Sequence, residues 1–344
     1  MDELFRERFQ CPELIGKGGM GSVYRVDDPR LARKVAIKVH QGNDDQTTLQ
    51  RFTLEAQTTG RLEHPSIPPV YEYGEADDGS PYFALKLLEG QTLAELLEKL
   101  RQGDPQAHSV YDFPARYQIA IKLCEALEYA HLEGVIHRDI KPENILLGRF
   151  GEVWLVDWGV AGPPTEENTE AQEETDRLTK EPTFMGTLEY AAPEQLAGVY
   201  NALSDQYSLG AVLYELFSLK PAHPGKTRLE FLTSVTQATP EPAEKGRMPV
   251  QGRVPREVSV LLSKMLSKKP EERFSNLQEV IVELKRMAGG DIPVLCPHTF
   301  TKKGLFRLGK LLDNHNYWLM PLLILWLLYP LYDLFSWLSA RLFP

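Results

Sequence analysis

The chain has 344 residues, 42% hydrophobic and 25% charged, enough for one large two-lobed domain or two ordinary ones. A formal charge of -10 supplies no broad basic footprint and argues against nucleic acid as a partner. The three cysteines, Cys11, Cys124 and Cys296, are far apart with no close pair, so they exclude a disulfide framework or a four-ligand zinc site and read as thiols in a reducing compartment.

At the start, Met1 to Arg8 mixes acidic and basic residues without an apolar stretch and does not read as a secretory signal. Next comes Ile15-Gly16-Lys17-Gly18-Gly19-Met20-Gly21-Ser22-Val23, a Gly-x-Gly-x-x-Gly-x-Val run between two β-compatible segments. Glycines in such a run let backbone amides approach phosphate oxygens. Alone, the run is as well read as a plain glycine turn, or as a dinucleotide fingerprint were a helix to follow. Another strand follows instead, Val35 to Val39, in which Lys38 breaks an apolar alternation. In isolation that lysine reads as an exposed strand residue. A helical stretch from Leu49 to Leu62 carries Glu55, and a β-like run covers Tyr82 to Leu88.

Beyond this point the chain turns mainly helical with proline-marked turns, which predicts a small sheet-rich lobe followed by a larger helical one. Three polar elements stand in order within that half: His137-Arg138-Asp139-Ile140-Lys141-Pro142-Glu143-Asn144, Asp157-Trp158-Gly159 and Ala192-Pro193-Glu194. Between the last two, Pro163 to Pro182 is rich in Glu, Thr and Pro and reads as a mobile loop with solvated carboxylates at Glu166, Glu167, Glu170, Glu173, Glu174, Asp176 and Glu181. A sharper reading pairs those carboxylates with Arg138 as a built-in mimic of phosphate.

Taken together these elements resemble the serine/threonine protein kinase family over roughly Phe9 to Met287. Gly18-Gly19-Met20-Gly21, Arg51-Phe52 before Glu55-Ala56, and Pro193-Glu194-Gln195 resemble its bacterial branch. The resemblance implies an α+β, bilobal fold, with a small antiparallel-sheet lobe plus one helix at 1–88 and a larger helical lobe at 89–288. It implies transfer of the γ-phosphate of ATP to serine and threonine hydroxyls of proteins, with magnesium as the cofactor and manganese as an alternative.

By this resemblance the ATP site comprises Ile15, Gly16, Lys17, Gly18, Gly19, Met20, Gly21, Ser22, Val23, Ala36, Lys38, Glu55, Leu85 as gatekeeper, and Leu87 in a hinge that begins at Lys86. Lys38, paired with Glu55, would hold the α- and β-phosphates. Asp139 would be the catalytic base, Lys141 would reach the γ-phosphate, and Asn144 and Asp157 would be the metal ligands. Lys141 and Thr187 favour serine/threonine over tyrosine acceptors. His137 is expected to pack rather than catalyse, Asp205 to brace the catalytic loop and Arg273 to partner Glu194. Arg138 implies a phosphate on the segment from Asp157 to Glu194, with Thr179 and Thr183 the expected autophosphorylation sites and Thr165, Thr169 and Thr175 solvated loop positions. Two residues depart from the family pattern: Trp158 stands where Phe is usual, and Lys86 where Glu often begins the hinge. A scaffold without turnover, or a small-molecule kinase, fits less well, because Lys38, Asp139, Asn144, Asp157, Thr187 and Ala192-Pro193-Glu194 all stand.

Near the C-terminus Tyr317 to Tyr332 runs sixteen residues without a charged side chain, and apolar character resumes from Leu334 to Leu338. At about 1.5 Å per helical residue, crossing roughly 30 Å of hydrocarbon requires 317–338 with Asp333 inside it. The Asp costs about 2.5 to 3.5 kcal/mol, which the Leu, Ile and Phe residues offset at about 0.3 to 0.6 kcal/mol each. Trp318, Trp326 and Trp337 suit a bilayer interface, and Lys302, Lys303, Arg307 and Lys310 place the preceding flank in the cytoplasm. The expectation is a basic juxtamembrane linker at 289–316, a membrane-anchoring segment at 317–338 in contact with lipid, and a short tail at 339–344. That is a membrane protein with its catalytic domain in the cytoplasm, single-pass if the segment spans, or held at the interface by a bent anchor if Pro321 and Pro330 break the helix. A homodimer is expected by family analogy alone.

Overall fold

Alternating apolar and polar residues along the first third of the chain build a five-stranded antiparallel sheet, in the order β1-β2-β3-β5-β4. The computed structural model describes residues 8–18, 21–40, 46–165, 187–225, 227–245, 247–248, 250–290 and 304. Two compact units divide the chain, Met1–Lys285 and Arg286–Pro344, and the second is described only at 286–290 and 304.

The strands are β1 (Gln10–Gly18), β2 (Gly21–Asp28), β3 (Arg33–His40), β4 (Val70–Glu75) and β5 (Pro81–Lys86). β3 is central and covered on both faces, so Val35, Ala36, Ile37 and Val39 are all buried. One face packs Phe9, Tyr24, Val26, Val35, Ile37, Val39, Tyr82 and Ala84 together. On the other, Phe52 and Ala56 of helix α1 (Gln46–Arg61) meet Phe83, with Val70 and Leu85 beside them. The helix starts three residues before the apolar periodicity does, and β5 stops at Lys86, so Leu87 and Leu88 fall outside the strand expected to contain them. Tyr82 to Leu88 is apolar throughout apart from Lys86, and periodicity cannot mark where such a run leaves a sheet.

In the helical lobe β6 (Gln91–Thr92) pairs with β7 (Ile145–Leu147), which pairs with β8 (Val153–Leu155). Thr92 opens α2 (Leu93–Arg101) with a capping box closed by Glu95, and Leu93, Leu96, Leu97 and Leu100 at i, i+3, i+4, i+7 are all buried. α3 (Pro105–Val110) and the twenty-residue α4 (Phe113–Leu132) follow, each with an aspartate N-cap and a proline in the first turn. α5 (Ala202–Ser218), capped by Asn201, is buried from Ser204 through Ser218, which marks it as the helix around which the lobe assembles. Around it lie α6 (Arg228–Gln237), the hairpin β9 (Arg247–Met248) and β10 (Gly252–Arg253), α7 (Arg256–Met265) and α8 (Leu277–Ala288). α5 and α7 approach closely at Gly210, where a Cβ would stand 2.9 Å from that of Met265.

Candidate active site

A cavity of about 860 Å³ lies between the five-stranded sheet and the helical lobe. Ile15, Gly16 and Lys17 of β1, Gly21 and Val23 of β2, and Ala36 and Lys38 of β3 line it from above, Phe83 and Leu85 of β5 from behind, and Leu87 and Leu88 from the connecting segment. Leu146 of β7 and Val156 after β8 line the opposite side, and Glu55, Asn144 and Asp157 complete the deep end.

The sequence reading did not pick out Leu146 and Val156; the available signal was their position, two residues after Asn144 and one before Asp157. Ser22, expected at the site, does not line the cavity and is buried within the sheet. Gly19 and Met20 lie outside the described residues. Gly21 has a packing reason to be glycine beside any role at phosphate, because a Cβ there would collide with the Val39 carbonyl of β3.

Lys38 interrupts the alternation of β3 because its ammonium faces α1. Its Nζ sits 2.5 and 2.7 Å from the two carboxylate oxygens of Glu55. Burial pushes the Glu55 pKa up and Lys38 opposes it, the net direction being upward.

The loop after α4 brings the central polar groups together. Asp139 accepts from Lys141 Nζ at 2.5 Å and Asn144 Nδ2 at 3.3 Å on one oxygen, and from Thr187 Oγ1 at 3.0 Å on the other. Lys141 also donates to Thr187 at 3.2 Å. Asn144 Nδ2 further donates to the Asp139 carbonyl at 2.9 Å, so the amide oxygen is the atom left to take a cation. Asp139 and Lys141 adjoin the cavity at Asn144 rather than lining it.

Beneath this loop Asp205, fully buried, accepts from the backbone N–H groups of His137 at 2.8 Å and Arg138 at 3.0 Å and faces His131 Nε2 at 2.9 Å. Burial alone would raise its pKa, but the bond from His131, the nearby imidazoles and the His137 amide hold the carboxyl below the usual range. His137 is itself fully buried, which lowers its pKa and keeps it neutral. Its Nε2–H donates to the Val156 carbonyl at 3.1 Å, leaving Nδ1 to face the Asp139 amide at 3.4 Å. This is a packing and bracing position.

Glu194 and Arg273 form a two-pronged pair at 2.5 and 2.9 Å, and the same guanidinium donates to the carbonyls of Ser267 and Leu203, each at 2.8 Å. Arg138 takes a left-handed backbone, φ 70°, donates to the Pro163 carbonyl at 2.6 Å and lies over the Tyr200 ring. Its Nε finds no partner among the described residues. The reading of Thr165 as a solvated loop position needs correction. Its amide donates to the Tyr200 carbonyl at 2.8 Å and its hydroxyl to the Gly198 carbonyl at 3.2 Å, an isolated β-bridge that local composition does not encode. Thr169, Thr175, Thr179, Thr183 and the acidic residues between Glu166 and Glu181 lie outside the described residues.

Asn144 and the cavity-exposed carboxylate of Asp157 offer two hard oxygen ligands, a donor set that suits a small divalent cation completed by phosphate and water. Among the described residues no group of three or more His, Cys, Asp or Glu side chains could hold a metal ion unaided.

The protein kinase domain family matches residues 9–284 of this chain. The chain belongs to the protein kinase family. The family implies the use of ATP and a divalent metal, and protein substrates. The chain is 32% identical over 307 residues to the serine/threonine-protein kinase PknD of Protochlamydia amoebophila, covering 84% of this chain and 30% of that protein. It is 35% identical over 288 residues to PknD of Chlamydia pneumoniae, covering 80% and 30%. With the serine/threonine-protein kinase PknB of Mycobacterium leprae it shares 31% over 293 residues, covering 83% and 44%. The chain thus spans less than half the length of these relatives.

Proposed function

We propose that this kinase is an ATP-dependent protein-serine/threonine kinase that uses magnesium, with autophosphorylation of its own activation segment. The observation that carries the reading is the Asp139 carboxylate, held by Lys141, Asn144 and Thr187 beside a cavity that Lys38, Glu55 and Asp157 enter. A carboxylate has room for about four hydrogen bonds, and three are taken. The remaining position suits an acceptor hydroxyl, whose proton passes to Asp139 as its oxygen bonds the γ-phosphorus and the bond to the β-phosphate oxygen breaks, releasing ADP. Lys38, oriented by Glu55, steadies the α- and β-phosphates, and Lys141 meets the charge on the transferred group. Asn144 and Asp157 would hold magnesium, which neutralises phosphate charge when bound. The test is phosphoamino-acid analysis of a protein substrate labelled from ATP. Label on serine or threonine is expected, and label confined to tyrosine would overturn the assignment.

Activation-segment phosphorylation is proposed at Thr179 and Thr183, supported by Arg138, whose half-engaged guanidinium borders that segment. Mass mapping that found only other sites would reject it. We also propose that residues 317–338 anchor the kinase to a membrane with its catalytic domain in the cytoplasm, supported by the apolar run and its basic flank. Those residues lie outside the described ones; among the described residues no helix is long and apolar enough to cross a membrane. A homodimer, which would promote trans-phosphorylation, is carried over from the family by analogy.

A further inference from the structure

Gln195 stands third in the short helical turn Pro193–Ala197, and at 1% exposure it is a buried amide that needs partners on both its oxygen and its nitrogen. Its Oε1 accepts from the Ala192 amide at 2.7 Å, the reach of a third-position glutamine back to the residue that opens the turn, and from Ser208 Oγ of α5 at 3.2 Å. Its Nε2 donates to the Arg138 carbonyl at 3.2 Å. Chemistry fixes this orientation of the amide, because a backbone N–H can only donate and a carbonyl can only accept.

That carbonyl belongs to the peptide unit that enters Asp139. Arg138 has a left-handed backbone, a conformation that non-glycine residues rarely take and that the surroundings must enforce. Before it, Asp205 holds the amides of His137 and Arg138. After it, the Arg138–Asp139 peptide is held on both edges: Gln195 takes the carbonyl, and the Asp139 N–H faces His137 Nδ1 at 3.4 Å. Among the described residues no other bond reaches that carbonyl.

We propose that Gln195 is a positioning residue for phosphoryl transfer: by holding the Arg138 carbonyl it sets the peptide plane that carries Asp139, and so aims the Asp139 carboxylate. Adjacent side chains then divide the work of the Pro193-Glu194-Gln195 run. Glu194 is clamped by Arg273, and Gln195 carries that fixed position across to the loop after α4. Because Lys141, Asn144 and Thr187 all bond to the Asp139 carboxylate, a rotated peptide plane would disturb the three bonds together. The consequence for turnover rests on the reading of Asp139 as the base; the hold on the peptide does not.

The test uses the full chain and Gln195→Met, which keeps length and volume but removes the donor and the acceptor. In steady-state kinetics kcat should fall about fivefold, the scale of one neutral hydrogen bond, with KM for ATP within about twofold, since Gln195 does not line the cavity. In nucleotide-free protein, hydrogen exchange at the Asp139 amide should quicken about fivefold while the α4 amides stay unchanged. A lowered Tm with both kcat per folded molecule and Asp139 exchange unchanged would leave Gln195 a helix cap and overturn the proposal. Faster exchange with unchanged kcat would overturn the positioning role. Should Gln195→Met fail to fold, Ser208→Ala, which removes one of the two bonds that steady Oε1, should show both changes at about twofold, and the absence of both would overturn the proposal. Wild-type protein without turnover would count against Asp139 as the base, while the exchange comparison would still decide whether Gln195 holds the peptide.

Discussion

At Asp139 the carboxylate is the only acceptor shared by Lys141, Asn144 and Thr187 among the bonds described for those side chains, so its removal takes away both the base and the hub that orients them. Asp139→Asn should lower kcat by about 10²- to 10⁴-fold while leaving ATP affinity within about twofold, measured by steady-state kinetics and nucleotide titration. Lys38, Glu55, Asp139, Asn144 and Asp157 were picked out through the family resemblance of the motifs that hold them, and the structure pairs Lys38 with Glu55, bonds Asn144 to Asp139 and sets Lys38, Glu55, Asn144 and Asp157 around one cavity. Leu146 and Val156 were not legible, since an apolar residue in an apolar strand carries no sign of which cavity it faces. Gly21 was legible for the wrong partial reason: a close strand, as well as a phosphate, demands the missing Cβ. Thr165 was misread because its partners at Gly198 and Tyr200 are more than thirty residues away in sequence.

Among the elements, the two-lobed order of strands and helices was readable from periodicity, while the ends of α1 and β5 were not. Long-range polar clamps were less visible still. Arg273 is fully buried and ties Glu194 to the carbonyls of Ser267 and Leu203. Arg273→Ala leaves Glu194 without its cation and should cost about 3 to 5 kcal/mol, lowering Tm by roughly 10 °C in a thermal melt. A second junction joins α5 to α6. Lys268 donates to Tyr207 Oη at 2.8 Å, the Tyr207 hydroxyl meets His223 Nε2 at 2.7 Å, and His223 Nδ1 meets Ser234 Oγ at 3.2 Å. Because the phenol oxygen accepts from Lys268, it donates to His223, which stays neutral with its proton on Nδ1. Burial first, and the Lys268 charge second, push the His223 pKa down to about 3. The unfolded chain therefore takes up a proton, below its ordinary value near 6.5, that the folded chain refuses. Stability conferred by this histidine is complete above about pH 6.5 and is lost as pH falls toward 3. His223→Gln should shrink the drop in Tm between about pH 7 and pH 4.5, and an unchanged drop would assign the acid sensitivity elsewhere.

For the whole molecule, the cavity between sheet and helical lobe gathers groups from β3, α1, the loop after α4 and the turn after β8, so the chemistry depends on the fold from Phe9 to the end of the matched domain. The proposed anchor lies apart from that domain in sequence. Alkaline extraction of membranes should leave the full chain in the pellet and release a chain ending at Gly290, with its phosphotransferase activity retained; release of both would remove the anchor. The most direct test of the central claim is transfer of radiolabelled phosphate from ATP with magnesium to the kinase itself and to a basic protein substrate, wild type against Asp139→Asn. The account predicts label on serine or threonine in the wild type and its near disappearance in a variant that still folds and binds ATP. Well-folded, ATP-binding wild-type protein that transfers no phosphate, or a variant labelled as fully as wild type, would contradict it.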